Sequence, residues 1–329
     1  MISEMQNAPA NAVPPSHKVG RAELIRADSF RWMKSRAAHS VHAIVTDPPY
    51  GVVEFDDDQI AKMKSGMGGI WRIPPNFDGA KRAPLPRFTA LNEKDRKRVV
   101  EYFHDFSTLC KHVLVPGGHV FLAGNSFLSA LVFGAMTEGG LEFRGQFIRP
   151  VVTLRGGDRP KGAEEEFPNV CTLPKGNFEP WGLFRAPLPK KMTVAEALRK
   201  YASGGLRRSP DGSPIGDVLE NAGRTSKEEK QLGGHPSQKP MDLMVTLVRS
   251  SLPLGVGVVL DPFMGSGTTI AAAEICGYES IGVEASAEYY HLAVATVPKL
   301  VALKGTLFPG YYATPCKPNS SSFLRSRSA

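Results

Sequence analysis

The run Ile44-Val45-Thr46-Asp47-Pro48-Pro49-Tyr50-Gly51 constrains this chain more than any other stretch. Residues 42–46 are apolar and β-branched enough for an interior parallel strand. The two prolines cannot continue it, because each removes a backbone donor and fixes a φ angle. The chain therefore has to turn sharply at Asp47. In an open α/β sheet, ligands bind beyond the carboxyl ends of the strands. An acid, a bare carbonyl and an aromatic face are thus expected in one crevice. An ordinary strand-ending turn with a packed tyrosine would use the same four residues, and this stretch alone does not separate the two.

Around that corner the hydrophobic pattern alternates between strands and helices. A strand is expected over residues 22–26, a helix over 30–37 and the strand into Asp47 over 42–46. Residues 93–115 have helical spacing, 119–123 read as a core strand, 128–137 as a helix and 143–154 as a strand. After residue 234 come a helix at 241–251, a strand at 256–260, a helix at 268–276, a strand at 279–283 and a helix at 287–296. Two regions break the pattern. Residues 51–92 carry Asp56-Asp57-Asp58 and many Gly and Pro, and read as an irregular loop or lid. Residues 155–234 read as an inserted recognition segment, with one helix signalled by a capping box, Thr193 with Glu196 three residues on. The expected organisation is a disordered start at 1–19, one catalytic domain built from 20–154 and 235–300, the insertion, and a flexible basic tail at 309–329.

The 329 residues are 42% hydrophobic and 22% charged, ordinary for a soluble globular chain. No long apolar run or leader-like start is visible, so no membrane association and a cytoplasmic location are expected. The net charge of +8 is unevenly spread: residues 59–100 hold ten Lys/Arg against three acids. Such an excess suits a polyanion partner, and equally a solvated basic face. The candidate contacts are Arg72, Lys81, Arg82 and Arg87 here, and Arg185, Arg207 and Arg208 in the insertion, where Trp181 and Phe184 interleave with them. That interleaving would also suit a small core. Cys110, Cys171, Cys276 and Cys316 are widely spaced, which suggests reduced thiols, and no metal site is expected.

A second strand runs into an acid-proline corner at Val258-Val259-Leu260-Asp261-Pro262-Phe263-Met264-Gly265-Ser266-Gly267-Thr268-Thr269. Gly265 and Gly267 would let backbone approach a ligand, and the following helix start would favour its anionic end. No Lys precedes the Thr pair, which disfavours a nucleotide-triphosphate loop. The next strand ends at Glu284, whose carboxylate could accept both hydroxyls of a ribose. Gly265, Gly267 and Ile270 meet a dinucleotide fingerprint only loosely, since the third small residue is missing.

Asp47-Pro48-Pro49-Tyr50, then His235-Pro236-Ser237-Gln238-Lys239-Pro240, then Asp261 to Thr269 resemble, in this order, the motifs of amino-group DNA methyltransferases of the permuted β group. The resemblance spans residues 22–296 apart from the two irregular regions. It implies a Rossmann-like α/β fold with a mostly parallel, doubly wound sheet and circularly permuted motif order, and S-adenosyl-L-methionine as cofactor. It further implies that Asp47 and the Pro48 carbonyl accept the two N–H bonds of the target amine, Pro49 stiffens the corner and Tyr50 stacks on a base flipped out of duplex DNA.

The cofactor would be held by Asp261, Phe263, Gly265, Ser266, Gly267, Thr268 and Glu284, with Ser237 and Lys239 at its methionine end and Asp28 at its adenine. Asp28 could equally be a helix cap, and Ser237 and Lys239 could cap the helix at 241. Asp47, where N4-cytosine enzymes more often carry Ser, points to adenine N6 as the acceptor. N4-cytosine methylation, RNA methylation and a non-catalytic DNA-binding relative are the alternatives. A homodimer and a restriction or defence partner complete the expectations.

Overall fold

The structure, a computed structural model, describes residues 14–49, 91, 93–151, 160, 162–174, 176–220, 225–233 and 238–304. Tyr50, Asp56 to Asp58, Arg72, Lys81, Arg82, Arg87, His235, Ser237, Cys316 and the tail at 309–329 lie outside the described residues.

In chain order the elements are β1 (Ser16–Val19), β2 (Ala22–Arg26), α1 (Ser29–Ser35), β3 (Val41–Thr46), α2 (Glu93–Val113), β4 (Leu114–Ala123), α3 (Ser129–Glu138) and β5 (Glu142–Pro150). They continue with β6 (Phe178–Arg185), α4 (Val194–Tyr201), α5 (Lys227–Gly233), α6 (Met241–Ser251), β7 (Val258–Asp261), α7 (Thr268–Ile275), β8 (Glu279–Glu284) and α8 (Ala287–Lys304). The strands form one sheet in the order β1-β2-β8-β7-β3-β4-β6-β5. The five from β2 to β4 are mutually parallel, while β1, β6 and β5 each run antiparallel to the neighbour they join.

Both faces of the parallel part are buried, as its near-continuous apolar strands require. Successive side chains along a strand enter opposite cores. Ala43, Val45, Phe121 and Val259 pack on one side with Leu243 and Leu247 of α6, Ile270 of α7 and Val297 of α8. Ile44, Val120, Leu122 and Leu260 pack on the other with Met33 of α1, Phe103 and Phe106 of α2 and Met136 of α3. This is the doubly wound α/β sheet the alternation called for.

The permuted order is visible in the pairing. β2, near the start of the chain, lies beside β8, near its end, with Arg26 opposite Glu284 and the Ala27 N–H donating to the Glu284 carbonyl at 3.0 Å. The polypeptide enters the sheet in the middle of the cofactor half and completes it last.

Four local expectations change. Ser16–Val19, taken as disordered, pairs with β2 across a tight turn at Gly20, whose φ is +57°. Its exposed, polar residues gave no apolar signal for what is an edge ladder. The strand expected at 119–123 starts at Leu114. Pro116-Gly117-Gly118 is absorbed as an irregularity, with a register shift opposite Val41 and Ala43 and Gly117 at φ +81°. Phe178–Arg185, placed by its surroundings in the recognition insertion, is instead a buried strand between β4 and β5. The last helix passes through Pro298 to Lys304. The capping box at Thr193 is present as expected, with the Glu196 carboxylate accepting the Thr193 N–H at 2.7 Å.

Candidate active site

β3 leads by α2 to β4 on one side, whereas β7 leads by α7 to β8 on the other, so the winding reverses between β3 and β7. A crevice opens at the carboxyl ends of strands where that happens. Here it is a cleft lined by Asp47, Gln238, Lys239, Met244, Asp261, Phe263, Met264, Gly265, Ser266, Thr268 and Thr269. Three stretches far apart in sequence converge on it.

Asp261, at the end of β7, faces inward. Its carboxylate accepts from Thr46 Oγ1 at 2.7 Å and from the Phe263 N–H at 3.1 Å, and also from the Thr269 hydroxyl. Burial pushes its pKa up to about 6 against the effect of these donors. Thr46, the residue before Asp47, thereby ties the two acid-proline corners together. Phe263 packs its ring on Phe106, with centroids 5.4 Å apart, and Ser29 donates to the Pro262 carbonyl, fixing the turn against α1 and α2.

The glycine turn sits against Glu284. Gly265, at φ +51°, donates its N–H to Glu284 Oε2 at 3.1 Å, and Ser286 donates to Oε1 at 2.8 Å. Both carboxylate oxygens are thus oriented by backbone, each with lone-pair capacity remaining. Burial raises the Glu284 pKa above the ordinary 4.5, opposed by these N–H bonds. Asp28, on the neighbouring strand end, caps α1 by accepting the Arg31 N–H at 2.9 Å.

Gly267 has another reason to be glycine than close ligand approach. At φ +83° it precedes α7, and a Cβ there would lie 2.5 Å from Val297 Cγ2 of α8. It does not line the cleft. Gly267→Ala is expected to destabilise the fold by about 1–2 kcal/mol for the left-handed backbone, with a further ~1–3 kcal/mol from overpacking. Urea denaturation measures this, and an unchanged midpoint would contradict it.

The third stretch brings Lys239. Its ammonium lies 2.8 Å from Asp47 Oδ2 and 3.4 Å from Glu179 Oε2. Burial alone would lower the lysine pKa, but the charges of Asp47 and Glu179 outweigh it and hold it well above its usual value. Glu179 also meets Arg149 Nη1 at 3.4 Å and accepts the Trp181 indole N–H at 2.7 Å. Burial would raise its pKa, and these cations and donors bring it below the usual range instead. Gln238, beside Lys239, buries both amide atoms of its side chain without a partner among the described residues. An orphaned donor and acceptor in a cleft wall suit a ligand carrying both kinds of polar group.

The sequence reading missed Glu179, Trp181 as its partner, Gln238, Met244 and Thr269. Glu179 sits in a strand that composition had hidden, and nothing local marks it. Of the basic candidates, Arg185 is buried and bonded to Glu142 at 2.6 Å, which removes it from a DNA-facing role. Arg207 donates to the Tyr278 hydroxyl at 2.8 Å and Arg208 to the Gly212 carbonyl at 3.0 Å. Trp181 and Phe184 are core residues.

A sheet that reverses its winding at β3 and β7 and gathers its polar groups there has the Rossmann-like architecture of S-adenosylmethionine-dependent methyltransferases. The Thermus thermophilus protein TTHA0409, crystallised with S-adenosyl-L-methionine, superposes with a TM-score of 0.52 at 20% identity, covering 84% of this chain and 95% of that one. The PvuII DNA methyltransferase, cytosine-N4-specific, superposes with a TM-score of 0.51 at 14% identity, covering 88% and 93%. Residues 41–295 match the N6/N4 methyltransferase model described as DNA methylase, and the chain belongs to that family of amino-group DNA methyltransferases. The type II methyltransferase M.HindIII of Haemophilus influenzae is 30% identical over 82% of this chain and 93% of its own length. M2.DpnII of Streptococcus pneumoniae is 24% identical over 85% and 90%.

Proposed function

We propose that the protein transfers the methyl group of S-adenosyl-L-methionine to the exocyclic N6 of adenine in DNA, on a base flipped into the cleft. The observation that carries this is the placing of Asp47, held at 2.8 Å by Lys239, in the same cleft as the glycine turn. The cofactor supplies an electrophilic methyl on a sulfonium. Glu284 would hold its ribose, Gly265, Ser266 and Thr268 its surroundings, Phe263 and Asp28 its adenine side, and Gln238 with Lys239 its polar methionine end.

The adenine amine is a poor nucleophile because its lone pair is delocalised into the ring. Asp47 and the Pro48 carbonyl would accept its two N–H bonds and leave the lone pair pointing away from the ring plane. Pro48 is buried, Pro49 exposed, and the pair stiffens the corner, so the acceptors are placed before substrate arrives. As the new C–N bond formed, the methyl–sulfur bond would break and leave the cofactor as a neutral thioether. The methylated nitrogen would become strongly acidic, and Asp47 would be positioned to take its proton. Asp47 also favours adenine over cytosine in this reading, since the fold is shared with a cytosine-N4-specific enzyme and does not discriminate.

Arg72, Lys81, Arg82, Arg87 and Arg208 remain the proposed DNA contacts. The type II names of the relatives suggest a restriction partner, and a homodimer is tested by light scattering. The defining experiment incubates the protein with cofactor and duplex DNA, single-stranded DNA or RNA, then identifies the modified nucleoside by mass spectrometry. N6-methyladenine from duplex DNA is expected. N4-methylcytosine, or methylation of RNA alone, would replace the reading.

Glu284→Ala is expected to weaken cofactor binding by ~1–3 kcal/mol, the loss of a charge-assisted acceptor. Calorimetric titration measures it, and an unchanged Kd would remove Glu284 from the site. Ribose hydroxyls need the ionised carboxylate as acceptor, and burial raises its pKa above 4.5. Affinity should therefore be full at neutral pH and fall as pH drops through that raised value. Glu284→Gln should flatten this dependence while binding more weakly throughout.

A further inference from the structure

We infer that Glu179 is a positioning residue for methyl transfer, acting through Lys239 to fix the carboxylate of Asp47. This inference rests on the transfer proposed above and extends the site to a strand outside its recognised motifs.

Topology brings Glu179 there. β6 runs antiparallel to β4, with Trp181 opposite Ala123, so the residues that start β6 lie at the edge where β3 and β4 end. The Gly124 N–H donates to the Pro180 carbonyl at 2.8 Å and pins that start. Arg149, directly opposite Glu179 on β5, arrives at the same edge.

The side chains then form a chain of alternating charge: Asp47, Lys239, Glu179, Arg149. Lys239 Nζ is 2.8 Å from the first carboxylate and 3.4 Å from the second. Glu179 is itself immobilised through both oxygens, Oε1 by the Trp181 indole at 2.7 Å and Oε2 by Lys239 and Arg149 at 3.4 Å each. A lysine on four rotatable carbons is a poor fixture alone. Held between two carboxylates from different strands, it becomes one. Its ammonium then engages one oxygen of Asp47 and orients the group as an acceptor. Sharing the lysine charge with Glu179 also leaves Asp47 a stronger acceptor than a one-to-one ion pair would, because the field of the ammonium is partly neutralised from behind.

A purely structural role would make Glu179 the counter-charge of Arg149 and no more. Glu179→Gln and the double variant Arg149→Gln/Glu179→Gln separate these possibilities. For each, the single-turnover methylation rate with saturating cofactor and DNA is measured, together with the cofactor Kd and the melting temperature. Glu179→Gln is expected to slow transfer at saturating cofactor roughly 10–100-fold, the scale of a misplaced reacting group, a larger effect than on the cofactor Kd. It is also expected to lower the melting temperature, because Arg149 and Lys239 lose their shared counter-charge. The double variant, in which no buried charge is left unbalanced, is expected to stay slow.

A Glu179→Gln rate within about twofold of wild type, well below any positioning effect, would overturn the inference. So would recovery of the wild-type rate in the double variant. Should Glu179→Gln alone not fold, the double variant decides by the same two results. A wild-type protein that binds cofactor but methylates nothing would instead overturn the proposed function.

Discussion

Asp47→Ala is expected to lower the single-turnover rate of methyl transfer by roughly 10^3-fold, within the range seen when a group that contacts the reacting atoms in the transition state is removed. The cofactor Kd should move by less than about threefold, because an interaction made mainly in the transition state is absent from the binding equilibrium. The neighbouring carboxylates offer no substitute. Asp261 is committed to Thr46, Phe263 and Thr269, and Glu179 to Lys239, Arg149 and Trp181. Lys239 retains Glu179 as its partner in the variant, so the fold should survive. Radiolabelled methyl transfer under single turnover, beside a cofactor titration, checks both halves. Retained turnover would place the acceptor pair elsewhere.

Trp181→Ala should act on stability. The indole is fully buried in the core that contains Phe121 and Phe147, and its N–H is bonded to Glu179. Removing a buried tryptophan costs ~3–5 kcal/mol from lost transfer energy and the cavity left behind. The loss of the indole donor adds to this, because Glu179 then keeps one oxygen unpaired in a buried place. Trp181→Phe should recover most of the packing but not the hydrogen bond. Equilibrium urea unfolding measures both. A Trp181→Ala protein of wild-type stability with altered DNA preference would return Trp181 to the recognition surface that its neighbours in sequence suggested.

That contrast shows why part of the fold was legible and part was not. Residues 42–46 and 258–260 are short, largely apolar runs ended by an acid and a proline, and a buried parallel strand leaves that signature regardless of context. β6 does not. Phe178-Glu179-Pro180-Trp181-Gly182 mixes charge, proline and glycine. It is a strand because β4 and β5 leave a slot between them. Proline fits at its third position, where its carbonyl still accepts from Gly124. Gly182 is required there because a Cβ would lie 2.6 Å from Phe184 and 2.8 Å from Phe133. Ser16–Val19 escaped notice for the opposite reason: an edge strand with exposed faces need not be apolar at all.

The same division runs through the site. Asp47 follows β3, Asp261 and Glu284 end β7 and β8, and Gly265 lies in the turn after β7, so residue chemistry at strand ends is enough to nominate them. Gly267 is expected from the sequence as a close approach to a ligand, whereas the contact that a Cβ there would make is with Val297 of α8, thirty positions away.

What the amino-acid sequence determined on its own was the set of strand-ending corners and their order, because prolines, glycines and buried apolar runs act locally on the backbone. What only the tertiary structure decided was which charges meet there. Lys239 between Asp47 and Glu179, and Thr46 on Asp261, are contacts between strands and loops up to 215 residues apart. They exist because the sheet reverses its winding between β3 and β7, a property of strand order that no local pattern carries.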